Sequence, residues 1–339
     1  MDNLPLVGIT LGDPAGIGPE VISKALSNHK KGGSGTYAPL VIGSKTIFDA
    51  SLRKYAPELT SQSIKTVEAA RDVANGNKAV PVLNIESPDM DSIPLGTSSV
   101  AGGHASVRAI EQAATLAQSN SLDAICTAPI NKESVALAGY SEFGHQEMLA
   151  RIAKIKKIGT MLIARQLRVV HLTTHVPFRE AHKFITKDRI LEYIQMTDKA
   201  FKSWGFSNPK IGVAALNPHG GDGGLFGDEE SEEISPAIEN AKSDGIIVYG
   251  PIPADSIFLR GVNGDFDAII ALYHDQGHIG VKMHDFHRSI SVNIGLPYIR
   301  TSVDHGTAFD IAGKGIAQST SMEEALIVAS SLASGKGFK

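Results

Sequence analysis

The chain reads Ala268-Ile-Ile-Ala-Leu-Tyr-His-Asp-Gln-Gly277 at a point where an apolar run gives way to polar side chains. The apolar part is rich in residues that favour strands, so it predicts a buried strand that stops near Leu272. His274 and Asp275 are then expected in the loop at its carboxyl end. In open α/β sheets ligands bind at that edge, which makes this stretch the first candidate for a functional site.

Two other apolar runs also end on a histidine. They are Val169-Val-His-Leu-Thr-Thr-His175 and Gly212-Val-Ala-Ala-Leu-Asn-Pro-His219. Divalent metals bind neutral imidazoles that are held at the ends of rigid elements. We therefore hypothesise that His175, His219 and His274 bind one divalent metal. The spacing leaves an alternative open, since three of the 12 histidines could follow strands by chance.

The length and charge of the chain limit the classes of protein to which it can belong. With 339 residues it exceeds the size at which a single core usually stops growing, so two domains are expected. A net charge of −4 and the lack of a Lys/Arg run argue against nucleic acid or an anionic membrane as the main partner and favour a small ligand. The N-terminal sequence lacks a leader pattern and no apolar segment is long enough to span a membrane, so a soluble cytoplasmic protein is expected.

Predicted strands and helices alternate along the chain, which indicates an α/β fold. The first strand, Leu6-Val-Gly-Ile-Thr10, runs into Leu11-Gly-Asp-Pro-Ala-Gly-Ile-Gly-Pro-Glu20 before a helix. The glycine spacing there matches neither the dinucleotide fingerprint nor a P-loop. The turn could require positive φ angles or offer its backbone to a ligand, and both interpretations stay open. Strands near 160–164 and 167–173 are expected to form a hairpin at Arg165-Gln166, so the sheet should be mixed.

Several single residues carry charges or rings suited to a site, although each alone is more typical of a surface. Lys282 and Arg300 could bind an anion, Arg through its bidentate fork and Lys as a point charge. Asp255 could be structural or a site carboxylate. His145 lies in a loop that is expected to enter a helix at Met148.

Four motifs together resemble the 4-hydroxythreonine-4-phosphate dehydrogenase family over about residues 6 to 335. The motifs are Thr10-Leu-Gly-Asp-Pro-Ala-Gly-Ile-Gly-Pro-Glu20, Leu216-Asn-Pro-His219, Tyr273-His-Asp-Gln-Gly277 and Gly295-Leu-Pro-Tyr-Ile-Arg-Thr-Ser-Val-Asp-His-Gly-Thr-Ala308. The resemblance implies a two-domain isocitrate/isopropylmalate dehydrogenase-like α/β fold with a mixed sheet and an active site in the interdomain cleft. We expect a discontinuous domain made of residues 1–140 and 300–339, and a second domain, 141–299, that carries the dimer interface.

The resemblance also implies a nicotinamide cofactor, NAD or NADP. Gly16-Ile-Gly-Pro-Glu20 is similar to the N-terminal signature of the wider fold group, and His305-Gly-Thr-Ala-Phe-Asp-Ile-Ala-Gly313 is similar to the loop that holds the adenosine of the cofactor. Such a loop would explain a dinucleotide enzyme without the usual glycine fingerprint. The cofactor-binding positions implied by this match are His305, Gly306, Thr307, Ala308, Asp310 and Gly313.

The metal hypothesis gains support from the same resemblance. His175, His219 and His274 match the family's ligands for one divalent metal, which could be Zn, Co, Mg, Mn or Ni. In that family the site is completed across a homodimer, with His274 coming from the partner chain. The candidates for orienting these ligands or for relaying a proton are Asp255, Asp275 and Lys282.

The substrate positions match the family only in part. The matching substrate-binding residues are His145, Lys282 and Arg300. Gln146 replaces a threonine that is common in the family, and Ser291 falls where a substrate-contacting asparagine is expected, with Asn293 two residues further on. Changed polar groups in a closed pocket discriminate between substrates, so Gln146, Ser291 and Asn293 are candidate substrate contacts as well.

The expected function is the NAD-dependent, metal-assisted oxidation and decarboxylation of a small phosphorylated 3-hydroxy acid. The first candidate substrate is 4-phosphohydroxy-L-threonine, which would give 3-amino-2-oxopropyl phosphate in vitamin B6 synthesis. The alternatives on the same chemistry are 4-phospho-D-threonate or 4-phospho-D-erythronate, which would give dihydroxyacetone phosphate, and a cyclic dihydrodiol carboxylate. A metal-dependent hydrolase is the alternative from another class, but it gives no reason for the loop from His305 to Gly313.

Overall fold

A computed structural model of the chain describes residues 4–32, 36–75, 79–85 and 93–338. Residues 1–3, part of the segment that lacks a leader pattern, lie outside them. The strands are β1 (Leu6–Thr10), β2 (Ala38–Gly43), β3 (Thr60–Ile64), β4 (Ala79–Asn84), β5 (Ala124–Thr127), β6 (Gly159–Ala164), β7 (Leu167–His171), β8 (Ile211–Ala214), β9 (Val248–Ile252), β10 (Ala268–Ala271), β11 (Ile290–Ile294) and β12 (Ile299–Val303). The helices are α1 (Gly18–Lys31), α2 (Lys45–Tyr55), α3 (Glu68–Asn75), α4 (Val100–Gln118), α5 (Lys132–Leu137), α6 (His145–Ala153), α7 (Phe178–Ala181), α8 (Lys187–Ser203), α9 (Ser235–Ser243), α10 (Ala254–Val262), α11 (His274–His284) and α12 (Thr320–Ala333). Among the helices so described, none is both long and apolar enough to cross a membrane.

The chain divides into two compact units. The first unit contains Met1–Lys157, Leu296–Ser334 and Phe338–Lys339, and the second contains Ile158–Gly295 and Gly335–Gly337. The divisions therefore fall after residues 157 and 295, whereas the sequence places them after 140 and 299. Strands and helices alternate in both units, so the predicted mixed α/β fold is confirmed.

The described strands of the first unit form a parallel sheet with the order β3-β4-β2-β1-β5-β12. Every residue of β1 is buried, because α4 and α12 both pack against this strand. Parallel sheets need cover of this kind on both faces. The carboxyl ends of β1, β5 and β12 lie side by side, so the three segments that follow them are brought together.

The turn after β1 is tight, and two of its glycines are required by close backbone contacts. Gly12 has φ +71°, and a Cβ at this position would lie 2.3 Å from the carbonyl oxygen of Pro129. At Gly16 a Cβ would lie 2.9 Å from Thr307, whose carbonyl accepts a hydrogen bond from the Ile17 N–H at 3.0 Å. The turn therefore requires a positive φ, and it also holds the segment after β12 against its own backbone.

The second unit has a mixed sheet with the order β11-β6-β7-β10-β8-β9 among its described strands. Strands β11, β6 and β7 pair antiparallel, and β6 and β7 form the predicted hairpin, in which Arg165 has φ +54°. Strands β7, β10, β8 and β9 pair parallel. Because β10 lies between β7 and β8, the carboxyl ends of these three strands meet at one edge of the sheet.

The core of the second unit keeps these three strands in place. Apolar side chains from the sheet pack with residues of α10 and α11, so the helix that begins at the end of β10 is fixed to the sheet beneath it. The buried residues of this cluster are Leu162, Ala164, Leu167, Val169, Ala214, Ile257, Phe266, Ile269, Ala271 and Val281.

Two helices begin earlier than the sequence predicts. His274 is the first residue of α11 rather than a loop residue, and His145 is the first residue of α6, three residues before Met148. The residues that precede them, Tyr273 and Gly144, make no side-chain capping hydrogen bond. The Ser, Thr, Asp or Asn that normally marks a helix start is therefore missing. Both imidazoles consequently project from helix N-termini.

The region between residues 56 and 97 also differs from prediction. The apolar pattern there is irregular and indicates a strand only at residues 80–85, whereas the described part of the region contains β3 and α3 in addition to β4. Strand β3 reads Thr-Ser-Gln-Ser-Ile and is mostly exposed at the edge of its sheet. An edge strand with polar side chains lacks the apolar alternation on which strand prediction depends.

One histidine is part of the core rather than of a surface. His171, the last residue of β7, is 1% exposed. Its ring occupies the space that a side chain at residue 277 would need, since a Cβ on Gly277 would lie 2.3 Å from His171 Nε2. Burial, together with the nearby His278 and His274, lowers the pKa of His171 to about 3, so this imidazole is neutral in the folded protein.

We predict that this neutral imidazole makes the protein less stable in acid. The unfolded chain binds the His171 proton with a pKa of about 6.5 and the folded chain only near pH 3, so stability falls as the pH drops between these values, by at most about 1.4 kcal/mol per pH unit. His171→Gln removes this contribution. The difference in Tm between wild type and variant should be largest at neutral pH and shrink towards pH 4, and a difference that does not change with pH would contradict the prediction.

We also predict that Gly12→Ala strongly destabilises the first unit. A left-handed alanine costs about 1–2 kcal/mol, and the contact with Pro129 adds about 1–3 kcal/mol. Gly32→Ala is the matched control, because Gly32 has φ −69° and a Cβ there would meet no atom closer than 3.6 Å. Thermal unfolding should show a lower Tm for Gly12→Ala and an unchanged or slightly higher Tm for Gly32→Ala. Equal effects of the two substitutions would argue against the strain.

Candidate active site

The three candidate metal ligands follow three neighbouring parallel strands in the second unit. His175 follows β7, His219 follows β8, and His274 begins α11 directly after β10. The structure thus places all three at the carboxyl edge of the same sheet, as the metal hypothesis requires. Within one chain the rings of His175 and His274 lie 6.0 Å apart, measured between centroids.

His274 is held by two neighbours on its own helix. Its Nδ1 and Asp275 Oδ1 are 2.6 Å apart, and its ring stacks on the ring of His278 with 3.6 Å between centroids. The Nδ1 of His278 in turn lies 3.0 Å from the carbonyl oxygen of His274. A carboxylate on one imidazole nitrogen is the usual arrangement for a histidine whose other nitrogen binds a metal.

His219 lies in a strained loop. All five residues from His219 to Gly223 have positive φ angles, between +46° and +79°. His219 and Asp222 are not glycines, and each left-handed residue with a side chain costs about 1–2 kcal/mol. Strain of this kind persists only where the surrounding structure fixes the loop.

The carboxylate of Glu230 holds the segment that leads into that loop. Its Oε1 accepts hydrogen bonds from the backbone N–H groups of Leu216 at 2.8 Å and Asn217 at 2.7 Å. Its Oε2 accepts a third from Asn217 Nδ2 at 2.9 Å, and the same Nδ2 donates to Glu229 at 2.6 Å. Burial alone would raise the pKa of Glu230, but the hydrogen bonds from Asn217 and Leu216 outweigh it and hold the pKa below its usual range. The carboxylate is therefore ionised at neutral pH.

The donor set fits a divalent metal, although one chain does not complete it. In the described part of the chain, no group of three or more His, Cys, Asp or Glu side chains is arranged to hold a metal ion. The resemblance to the family assigns His274 to the partner's site, so the complete set would need a second copy. His175 and His219 are both exposed and imidazole nitrogen suits the metals considered above.

The other candidates of the second unit lie on α11 and on α10. Asp275 is exposed at the first turn of α11, and Lys282 lies two turns further along, with its Nζ 5.0 Å from the centre of the Phe286 ring. Asp255 is exposed in the first turn of α10, which lies against the loop that carries His219.

Ser291 and Asn293 lie two residues apart on β11, so both side chains are on one face of the strand. Ser291 is half-buried, whereas Asn293 is 2% exposed. Asn293 Nδ2 donates to the carbonyl oxygen of Gly159 on the neighbouring strand β6 at 3.3 Å. Asn293 thus also has a structural contact, and Ser291 is the more accessible of the two.

The substrate candidates of the first unit form a buried polar group around Arg300. Arg300 is 4% exposed, and its Nε and Nη2 donate to Thr127 Oγ1 at 3.1 and 2.6 Å. The Nε2 of His145 and the hydroxyl of Tyr298 are buried without a hydrogen-bond partner among the described residues. Gln146, the second residue of α6, is half-buried beside His145.

Burial and charge set the protonation of this group. Burial and the charge of Arg300 hold the pKa of His145 well below its usual range, so His145 is neutral. Burial lowers the pKa of Arg300 to about 10, which still leaves the guanidinium charged at neutral pH. Burial raises the pKa of Tyr298 to about 12, so its hydroxyl keeps its proton. A desolvated cation beside neutral hydrogen-bonding groups is suited to an anion such as a phosphate.

The loop after β12 carries the candidate cofactor positions. Thr307 is buried and bonded to Ile17, Ala308 has φ +44°, and Asp310 is exposed in a 3₁₀ turn. The ring of His305 folds back, with Nδ1 3.0 Å from the Gly306 carbonyl oxygen.

A cavity lies beside the end of this loop, within the first unit. Its volume is about 300 Å³, and its lining includes Gly16, Pro19, Leu95 and Gly313. Lys54 lines it too, and its Nζ donates to the Gly313 carbonyl oxygen at 2.6 Å. The N-terminal glycine turn and the loop after β12, which the sequence singles out separately, thus share one cavity.

The structure adds four residues to those that the sequence indicates. Glu230 and Asn217 fix the His219 loop, and Thr127 and Tyr298 complete the group around Arg300. Glu230 belongs to the acidic run 228–233, which by pattern alone is a solvated helix start, yet Glu230 is 6% exposed. Tyr298 could have been found, because it lies two residues before Arg300 at the start of β12.

Comparison with known proteins shows the family to which the chain belongs. The sequence profile of a family described as "Pyridoxal phosphate biosynthetic protein PdxA" matches residues 35–329. A D-threonate 4-phosphate dehydrogenase from Cupriavidus necator is 42% identical over 326 residues, which cover 96% of each protein. A solved structure of a 4-hydroxythreonine-4-phosphate dehydrogenase from Burkholderia phymatum has a TM-score of 0.86 at 40% identity and covers 98% of this chain and 99% of that one. One from Klebsiella pneumoniae has a TM-score of 0.87 at 34% identity, with the same coverage.

These matches confirm the resemblance that the four motifs indicate. The named relatives are all dehydrogenases, so the chain is an oxidoreductase that acts on a CH–OH group of a phosphorylated hydroxy acid. The metal-dependent hydrolase is thereby set aside. The family profile spans most of the chain, and the relatives align over nearly their whole length. The chain belongs to the PdxA family of pyridoxal phosphate biosynthetic proteins.

Proposed function

We propose that this dehydrogenase uses NAD and a divalent metal to oxidise and decarboxylate 4-phospho-D-threonate. The observation that carries the proposal is the position of His175, His219 and His274 at the carboxyl ends of three neighbouring parallel strands. Such an edge is where α/β sheets bind their ligands. The histidines would hold the metal, with His274 acting in the site of a second copy.

The phosphate would be bound by Arg300. Its guanidinium is buried beside the Thr127 hydroxyl, and a phosphate would offset the cost of that burial through charge-assisted hydrogen bonds. The neutral His145 imidazole and the Gln146 amide would contact the rest of the substrate. Lys282, on the helix that begins with His274, supplies a further positive charge.

The oxidation and decarboxylation would be carried out by the bound metal and cofactor together with a few side chains of the second unit. When bound, a divalent metal supplies Lewis-acid chemistry, which favours loss of the hydroxyl proton and accommodates the negative charge that develops as carbon dioxide leaves. Asp275 would orient the His274 imidazole through its 2.6 Å contact with Nδ1. Asp255, Asp275 and Lys282 are the candidates for moving protons on the second unit.

The reaction balances as a two-stage conversion. The C3 hydroxyl of the substrate would lose its proton to a base, and the hydrogen on C3 would leave as a hydride to NAD, which gives a 3-oxo acid and NADH. The C1 carboxylate would then leave as carbon dioxide, and the electron pair of the broken C1–C2 bond would form the C2=C3 bond of an enediolate whose negative charge lies on the C3 oxygen. Protonation at C2 yields dihydroxyacetone phosphate.

The cofactor would lie along the loop after β12. Its implied contacts are His305, Gly306, Thr307, Ala308, Asp310 and Gly313. The cavity of about 300 Å³ beside Gly313 and Gly16 supports this placement, since it is lined both by the loop that resembles a cofactor-binding loop and by the glycine turn that resembles the N-terminal signature of the wider fold group. Backbone contact through a glycine turn is a common way to bind such cofactors.

A homodimer would complete the site. Helix α11, which begins with His274, exposes Ile279 and Met283 to 62% and 81%, and Phe286 beyond its end to 65%. Residues 275, 279 and 283 are four apart, so they lie on one face of the helix. Exposed apolar stripes of this kind mark interaction surfaces, and a second copy on this face would bring its own His274 with it.

The choice of substrate rests on the departures from the family pattern. Gln146 and Ser291 are the positions where the pocket differs, and a relative from Cupriavidus necator at 42% identity is named for D-threonate 4-phosphate. The second candidate is 4-phosphohydroxy-L-threonine, because the Burkholderia phymatum structure at 40% identity is named for it. The two substrates differ in the C2 substituent, a hydroxyl or an ammonium group.

A direct comparison of substrates tests the proposal. NADH formation, followed by absorbance with added divalent metal, should show kcat/KM for 4-phospho-D-threonate at least about a hundredfold above that for 4-phosphohydroxy-L-threonine. 4-Phospho-D-erythronate should rank between them, because it differs only in configuration. Preferred turnover of the amino acid would transfer the proposal to the second candidate and place the enzyme in vitamin B6 synthesis.

The double variant Gln146→Thr, Ser291→Asn tests the residues that would set this preference. It restores the pattern that is common in the family, so the kcat/KM ratio should move towards 4-phosphohydroxy-L-threonine. The change should appear without loss of thermal stability, since both positions are only half-buried. A ratio that stays at the wild-type value would show that these two residues do not select the substrate.

The metal assignment has its own test in His219→Ala. Loss of one of three protein ligands should reduce turnover at least about a hundredfold while the protein stays folded. His29→Ala is the matched control, because His29 lies in the first unit and stacks on Tyr37 at 4.0 Å between centroids. Near-normal turnover of His219→Ala would contradict the assignment of His219 as a metal ligand.

A further inference from the structure

We propose that Glu230 is a positioning residue for His219, which it places for metal binding through Asn217. The inference rests on the metal site proposed above. It starts from the observation that Glu230, alone in the acidic run 228–233, is buried with both carboxylate oxygens engaged by the segment that leads to His219.

The connection from Asn217 to His219 is short and stiff. One residue, Pro218, separates them, and its ring fixes φ. Asn217 itself is extended, with φ −88° and ψ 156°. A side chain that fixes both the N–H and the amide of Asn217 therefore leaves the position of His219 little freedom.

The loop beyond His219 does not fix the position of His219. Its backbone is left-handed from His219 to Gly223, and glycines occupy three of the five positions. Gly223 and Gly224 have no atom within 4 Å of the position that a Cβ would take. The far side of the loop is thus loosely packed, and the hydrogen bonds to Glu230 lie on the near side, before His219.

Two further glycines leave space for the contact between Glu230 and Asn217. A Cβ on Gly221 would lie 2.8 Å from Glu230 Oε2, and a Cβ on Gly227 would lie 2.5 Å from Asn217 Nδ2. Larger residues at either position would push the carboxylate and the amide apart. The glycines of this segment therefore fit around the Glu230–Asn217 contact.

Geometry, rather than negative charge, is the predicted contribution of Glu230. Glu230→Gln removes the charge but keeps an oxygen that can accept from the N–H groups of Leu216 and Asn217. Its amide nitrogen keeps the side-chain contact as well, because it can donate to Asn217 Oδ1 once the Asn217 amide turns over. Glu230→Asp keeps the charge but is shorter by one methylene, so hydrogen bonds of 2.7 and 2.8 Å would be stretched beyond bonding distance. The two variants thus separate position from electrostatics.

The experiment is a titration of the purified protein with Co²⁺, followed by the visible absorbance of the bound ion. Glu230→Asp should raise the Kd for Co²⁺ by about 10–100-fold, as loss of an outer-sphere partner typically does. Glu230→Gln should keep a Kd close to the wild-type value. Glu232→Gln is the matched control, because Glu232 is exposed in the same acidic run, and it should bind as wild type does.

Thermal unfolding establishes that each variant is folded. Should Glu230→Asp not fold, Asn217→Ala tests the same contact from the other side, because it removes the amide that bonds to Glu229 and Glu230. It should also weaken Co²⁺ binding at least about tenfold.

The outcomes are distinct. Wild-type Co²⁺ affinity in Glu230→Asp, or an equal loss in Glu230→Gln, would overturn the positioning role. His219→Ala in the same titration tests the underlying metal site. If His219→Ala binds Co²⁺ as tightly as wild type, the proposed metal site fails and the inference fails with it. If His219→Ala binds weakly while Glu230→Asp binds normally, only the role of Glu230 is overturned.

Discussion

The parallel pairing of β7, β10 and β8 is the constraint on which the second unit depends. Backbone hydrogen bonds set Ala271 opposite His171 and Ile270 opposite Val213, so the three strands end at nearly the same level. Each is followed within a few residues by a histidine. Histidines that are distant along the chain therefore reach one edge of the sheet. The apolar core, which includes residues of α10 and α11, keeps the strands in this register.

Two buried charged side chains, Glu230 and Arg300, lie in different surroundings. Glu230 is surrounded by donors from Leu216 and Asn217, so its pKa falls below the usual range in spite of burial. Its charge is satisfied by the protein itself, which suits a structural carboxylate. Arg300 bonds to the hydroxyl of Thr127, a neutral group, and burial lowers its pKa to about 10. A buried guanidinium that keeps its charge can form strong charge-assisted hydrogen bonds to an anion, which is why we propose it as the phosphate-binding residue.

Membership of the PdxA family fixes the class of reaction but not the molecule that reacts. The relatives from Cupriavidus necator and Burkholderia phymatum are named for different substrates, although both are about equally similar to this chain. The difference between those substrates is one substituent beside the reacting carbon. Single polar side chains can discriminate between substituents of this size, which is why the proposal assigns the choice of substrate to Gln146 and Ser291.

The sequence alone determined the features that depend on local pattern. The apolar runs indicated the strands, Arg165-Gln166 indicated the hairpin, and the four motifs indicated the family, because burial periodicity and turn chemistry act over a few residues. Only the tertiary structure decided which polar residues are buried. Glu230 looks like its exposed neighbours, and α6 and α11 begin without capping residues. Their roles arise from contacts with segments far away in the chain, and such contacts leave no local pattern.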